Sequence, residues 1–165
     1  TLPLLFAYGA SIHLASTQGE RDIPMDRYIT GYRQTVRRPD ELITALTIPL
    51  PGPDDLVRAY KVSKRKDLDI ATVSGAFRLR IVGDTVQEAV IAFGGMAAST
   101  QRGFPAEDLL IGKPWSRTNA QAAAEVVYHH FTPLSDARSG AEFRRLAARN
   151  LLLKFWSETA AQFVQ

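Results

Sequence analysis

The chain has 165 residues, of which 45% are hydrophobic and 22% charged, with a formal net charge of +3; that balance suits one compact domain, or one domain with a strip of another. It contains no cysteine, which excludes disulfides, thiolate-bound zinc and a cysteine-ligated iron–sulfur cluster within these residues and accords with a cytoplasmic setting. No apolar run reaches the ~18 residues of a membrane span, and so small a basic excess reads as a solvated surface rather than a nucleic-acid face.

The chain opens on Thr1-Leu2-Pro3, without a basic segment ahead of an apolar one, so no signal peptide is expected. An opening in mid-pattern is expected of a piece of something longer or of a processed product. Residues 4–10 are apolar and predict a short helix or the tail of one. Ser11-Ile12-His13-Leu14 and Arg21-Asp22-Ile23-Pro24 flank a Thr17-Gln18-Gly19 turn and predict a hairpin. Asp26 to Ile29 fits one helical turn, stopped by Gly31. The β-branched stretch 42–48 lies between prolines and predicts a strand. Residues 49–55, with three prolines and a glycine, form the best candidate boundary. Two units are therefore expected, 1–52 and 53–165.

Beyond that boundary, 57–62 predicts a strand and 64–69 a charged loop. In 70–82 the residues Val73, Gly75, Phe77, Leu79 and Ile81 alternate with Arg78 and Arg80, which predicts a long half-buried strand. Gly83-Asp84 turns the chain and 86–93 returns, making an antiparallel meander with one wet face. Helices follow at 104–110, at 120–131 with a cap from Arg117-Thr118-Asn119, and after a Ser139 cap. Phe143, Leu146, Ala147, Leu151 and Phe155 form the stripe of the last helix, widened by Leu152, Trp156 and Phe163. Strands followed by helices give an α+β fold: a meander sheet packed against C-terminal helices and preceded by the end of another α+β unit.

No self-sufficient catalytic constellation is present: no dinucleotide or Walker loop, no nucleophile elbow, no zinc-protease motif. His13, His129 and His130 are too scattered for a metal site, and the last two suit a helix C-terminus, where a cation offsets the dipole. Lys61, Lys64, Arg65, Lys66, Asp67 and Asp69 cluster around Leu68. Strand alternation sends Lys61 to the side opposite Tyr60 and Val62. On residues alone this cluster is first a solvated hairpin end; the alternative is a cationic rim beside an anionic cofactor or nucleotide. Gly94-Gly95 reads first as a tight turn and Tyr32 as a packed tyrosine.

The order of several segments resembles the flavin domains of xanthine dehydrogenases, members of the molybdenum hydroxylase family. These segments are Gly31-Tyr32-Arg33 within 24–35, Asp40-Glu41-Leu42-Ile43 within 40–49, Tyr60-Lys61-Val62 with Asp69-Ile70-Ala71, and Phe93-Gly94-Gly95-Met96. Pro133-Leu134-Ser135-Asp136 with Phe143-Arg144 completes the set. The similarity is to the small subunit of bacterial forms and spans essentially the whole chain. It implies the last part of an FAD-binding domain followed by a C-terminal domain that closes over it.

The resemblance implies FAD as cofactor, with Lys61 contacting it and Ile43 packing on it. It implies that the loop of Lys64, Arg65, Lys66, Asp67, Leu68 and Asp69 lies on the side where NAD approaches. Leu68 stands where animal members carry an acid. The partners implied are an upstream FAD and [2Fe-2S] segment of the same subunit and a large subunit with the molybdenum cofactor, without nucleic acid or membrane. Electrons would run from iron–sulfur clusters through FAD to NAD. The rival reading is a non-catalytic interaction domain whose basic loop binds a partner protein or nucleic acid.

Overall fold

Thr1 precedes α1 (Leu2–Ala7). Pro3 sits in its first turn, where a missing N–H costs nothing, and the Thr1 carbonyl accepts from the Leu4 and Leu5 amides. Gly9, at φ 64°, turns the chain into the expected hairpin of β1 (Ser11–Ser16) and β2 (Gly19–Pro24). Ser16 faces Gly19 across it, and Ile12 and Leu14 point inward. The helical turn is α2 (Met25–Tyr28). Ile29, expected in that turn, instead starts β3 (Ile29–Gly31), which pairs with β4 (Gln34–Thr35). The strand expected at 42–48 is β5 (Leu42–Thr47); it adds to the open side of β1, giving the order β2-β1-β5.

The computed structural model describes residues 1–65 and 70–162, so Lys66, Asp67, Leu68 and Asp69 lie outside the described residues, as does Phe163. The meander is present as β6 (Asp55–Val62), β7 (Val73–Val82), β8 (Thr85–Gly94) and β9 (Gln101–Arg102), each antiparallel to the next. β7 starts three residues later than expected. Thr72 lies before it and donates its N–H to the Val62 carbonyl at 2.8 Å, closing the neck of the charged loop.

One face of this sheet carries α3 (Phe104–Leu110), α4 (Arg117–His130) and α5 (Ala141–Thr159). Between sheet and helices lie Phe77, Phe93 and Phe155, all 0% exposed. The Phe77 ring centroid is 5.3 Å from that of Phe93 and 5.5 Å from that of Phe155. Each buried aromatic contributes about 2–3 kcal/mol by area. Trp115 closes the far end, its indole N–H donating to Thr159 Oγ1 at 2.9 Å.

Four expectations are corrected. The other face of the meander is wet only in part: α1 packs across it and buries Ala76, Val90 and Ala92, while Ala59, Lys61 and Arg80 on the same face stay exposed. Local alternation shows small residues on that face but not the distant helix that covers them. The cap of α4 is Ser116, whose Oγ accepts from the Asn119 amide, rather than 117–119. Before α5 the N-cap is Gly140, not Ser139, and the Ala141 amide donates to Ser135 Oγ at 2.9 Å. The stripe of α5 is also rotated. Phe143 and Leu146 are exposed, and the buried set is Arg144, Ala148, Leu151, Leu152, Phe155 and Thr159. A buried arginine, which hydropathy assigns to the solvent side, turns the first part of the helix.

Candidate functional site

Lys61 lies near the end of β6, opposite Ser74 of β7, which in turn lies opposite Gly94 of β8. Cross-strand partners share a face, so these three form one row. A Cβ on Gly94 would stand 2.6 Å from Ser74 Oγ and 3.4 Å from Pro3 Cγ of α1. The missing side chain thus makes room for Ser74, and the nearness of Pro3 places the first turn of α1 over this row. Lys61 therefore leaves the sheet on the face that carries α1, and its residue is exposed.

Tyr60 and Val62 point the other way, into the helix-covered core. The Tyr60 hydroxyl donates to Glu158 Oε2 at 2.6 Å, and the Lys154 ammonium lies 5.6 Å from the ring centroid. Burial first, and then the Glu158 carboxylate, push this phenol well above its usual range. Tyr60 is thus a neutral anchor that leaves strand alternation to present Lys61.

Ile43 lies on β5, opposite Leu14, and is 54% exposed. It and Lys61 stand on different sheets. Lys64 and Arg65 follow Lys61 as exposed residues. Lys64 Nζ donates to the Ala137 carbonyl at 3.0 Å, and Ser63 Oγ to the Arg65 carbonyl at 2.8 Å. A hollow of about 220 Å³ opens between Val62, Lys64 and Thr72 on one side and Arg138 and Phe143 on the other.

Arg144 is bonded to the Thr72 carbonyl in the wall of this hollow. Arg144 is 3% exposed. Its Nη1 donates to the Thr72 carbonyl at 2.7 Å and to the Gly95 carbonyl at 2.9 Å, and its Nη2 to Asp136 Oδ1 at 2.7 Å. Gly95 has φ 83°, and a Cβ there would lie 2.4 Å from the Thr72 oxygen. Gly95 is therefore required both for its backbone and for this close approach. Asp136 also accepts from the Arg138 and Ser139 amides. Those amides first, and the Arg144 guanidinium with them, hold its carboxyl down at about 2. The glycine pair, the Ser-Asp turn and the Phe-Arg pair, distant in sequence, meet at this one point.

A second polar knot ties the N-terminal elements to the meander. Arg102 donates from Nε and Nη2 to Glu107, at 3.1 and 2.6 Å, and from Nη1 to Asp26 at 3.1 Å. Glu107 is 2% exposed and also accepts the Ile91 amide at 2.8 Å. The signal available in sequence for both knots was a charge placed on an otherwise apolar helical face.

Residues 58–159 match the family model described as the CO dehydrogenase flavoprotein C-terminal domain, and residues 1–51 match the FAD binding domain in molybdopterin dehydrogenase. The chain belongs to the FAD-binding modules of the molybdenum hydroxylases. Over 165 aligned residues, this module is 39% identical to the nicotinate hydroxylase hnxS of Emericella nidulans, covering 94% of the chain and 12% of that protein. It is 31% identical to the xanthine dehydrogenase/oxidase of Gallus gallus, with 93% and 12% covered. The carbon monoxide dehydrogenase of Hydrogenophaga pseudoflava superposes with a TM-score of 0.86 at 25% identity, covering 93% of this chain and 53% of that one. Quinoline 2-oxidoreductase from Pseudomonas putida 86 gives 0.83 at 25%, with 100% and 57% covered. The flavin module thus spans about an eighth of the length of the sequence relatives named here and about half of the solved chains.

The residues present suit FAD. An apolar side chain on β5 offers a surface for a flat ring, and a cation that leaves the α1 face of β6 offers charge to an anion.

Proposed function

We propose that this chain provides part of the FAD site of a xanthine-dehydrogenase-like oxidoreductase in which electrons from [2Fe-2S] clusters pass through FAD to NAD. In this reading residues 1–52 are the end of the FAD-binding domain and 53–165 the domain that closes over it. Substrate hydroxylation belongs to a large subunit with the molybdenum cofactor, and the remaining FAD contacts and the clusters to upstream residues. When bound, FAD supplies the electron pair that reduces NAD. The chain's own residues bind and orient: Lys61 sets its ammonium against the negative part of the cofactor, and Ile43 gives the ring an apolar, water-excluding contact. Lys64 and Arg65 border the approach of NAD.

The observation that carries this reading is the direction of Lys61. It emerges on the same sheet face as α1, while its neighbours Tyr60 and Val62 pack against the core on the other face. The family membership and the names of the relatives support it.

The test is Lys61→Ala in the assembled enzyme. FAD occupancy or NAD reduction should fall while thermal unfolding stays unchanged. Unaltered flavin content and turnover would remove Lys61 from the site. Residues 1–165 alone should retain FAD poorly, because the phosphate contacts are assigned upstream; tight stoichiometric retention would contradict that assignment.

A further inference from the structure

We propose that Arg144 is a positioning residue for the flavin site, a buried latch that sets where Lys61 stands by holding both sides of the neck of the loop that follows it. This rests on the proposed role of Lys61 and adds to it a residue on a distant helix.

Three ties converge around Lys61, and one guanidinium takes part in all of them. Arg144 Nη1 holds the Thr72 carbonyl, while the Thr72 N–H reaches the carbonyl of Val62, the residue next to Lys61. Arg144 Nη2 holds Asp136, which also accepts the Arg138 and Ser139 amides and so shapes the turn whose Ala137 carbonyl takes the Lys64 ammonium. The second bond from Nη1 goes to the Gly95 carbonyl. Gly95 follows Gly94, which shares the cross-strand row of Lys61 and Ser74. The neck is thus held on its Thr72 side directly, on its Lys64 side through the Asp136 turn, and at the end of the neighbouring strand through Gly95.

The chemistry calls for arginine. A planar fork serves three acceptors in fixed directions, whereas an ammonium is a point charge on a flexible stem. Gly95 brings its own carbonyl and that of Thr72 close enough for one nitrogen to reach both. A salt bridge that served only the stability of α5 would need neither carbonyl. Here two of the three acceptors belong to the ends of the two strands that frame the Lys61 row.

The test is a double-mutant cycle in the assembled enzyme with Arg144→Lys and Lys61→Ala, read by the FAD release rate and the visible flavin spectrum beside thermal unfolding. Leu151→Ala, on the same helix, controls for stability loss alone. Arg144→Lys should release FAD about tenfold faster, as expected for a small misplacement of a positioned group. The double variant should release it no faster than Lys61→Ala alone, because interacting residues are not additive. Leu151→Ala should leave release within about twofold, since a stability loss remote from the contact adds independently. If Arg144→Lys fails to fold, Asp136→Asn carries the same cycle. Additive effects in the cycle, or release unchanged by the latch variant, would overturn the latch while leaving Lys61 in place. A silent Lys61→Ala would instead bring down the reading on which the latch rests.

Discussion

The meander with its three helices and the N-terminal elements are held together by different means. In the first, Phe77, Phe93, Phe155 and some twenty other side chains share one closed core. In the second, a smaller cluster around Leu5, Phe6, Ile12 and Leu14 is supplemented by a polar clamp. There Arg21 Nε lies 2.6 Å from Glu41 Oε1, the Arg38 amide donates to the same carboxylate at 2.6 Å, and Arg21 also reaches the Val36 carbonyl. The hydrogen bond from Arg21, more than any other contact, holds the Glu41 carboxyl down at about 2. Every residue of β5 is exposed, Leu42 at 71%. One region is specified by packing. The other is specified by hydrogen bonds and by its attachment to the first, and it presents an apolar strand.

That contrast makes mutational costs unequal in a definite order. Phe77→Ala should cost about 4 kcal/mol, the range for removing a core aromatic, seen as a lower denaturant midpoint for the whole chain. Glu107→Ala should cost about 3 kcal/mol, since it strips a buried partner from Arg102 and an acceptor from Ile91. Its amide exchange should rise most in β1 and β2, because the Asp26 tie weakens with it. Equal protection in both regions would mean that Arg102 does not couple them. Ser116→Ala should cost about 1 kcal/mol by chemical denaturation, the usual loss for an N-cap. Leu42→Ser should cost less than about 0.5 kcal/mol; a larger loss would show that β5 is covered.

The smallest effect follows pH. His13 lies between Asp22, at 2.9 Å, and Glu20, at 3.2 Å. Its bond to Asp22 is the leading cause of a pKa raised above 6.5. The imidazolium contribution is therefore complete below 6.5 and fades as pH climbs through the higher folded value. The melting temperature of wild type relative to His13→Asn should fall as pH rises above 6.5. Asp136 behaves oppositely: its contribution is present above 3.8 and is lost as pH falls through about 2.

Much of the secondary structure could be read locally, because hairpins and meanders repeat at a period of two. β1, β2, β5, β8 and α3 lie where alternation, turn residues and prolines point. What local patterns could not show are partnerships across long separations. Arg144 is 72 residues from Thr72 and 49 from Gly95, so its place on the apolar face of α5 points to a buried charge but not to the acceptors that meet it. The covering of Ala76 and Ala92 by α1 is of the same kind. At the candidate site, the direction of Lys61 followed from the fixed alternation of a strand, and the latch did not because it is tertiary. Gly94 and Gly95 read as turn residues, yet only Gly95 takes a positive φ; Gly94 leaves room for the Ser74 side chain beside α1.

Trp115 carries a practical consequence. Its indole is 4% exposed, hydrogen-bonded to Thr159 and set 5.5 Å from the Phe155 ring centroid, so it reports on the closure of α5 over the meander from a dry environment. The other tryptophan, Trp156, is only half-buried on the same helix. Intrinsic fluorescence should therefore carry a blue-shifted component from Trp115, and loss of that emission during unfolding would time the undocking of the last helix without any added label.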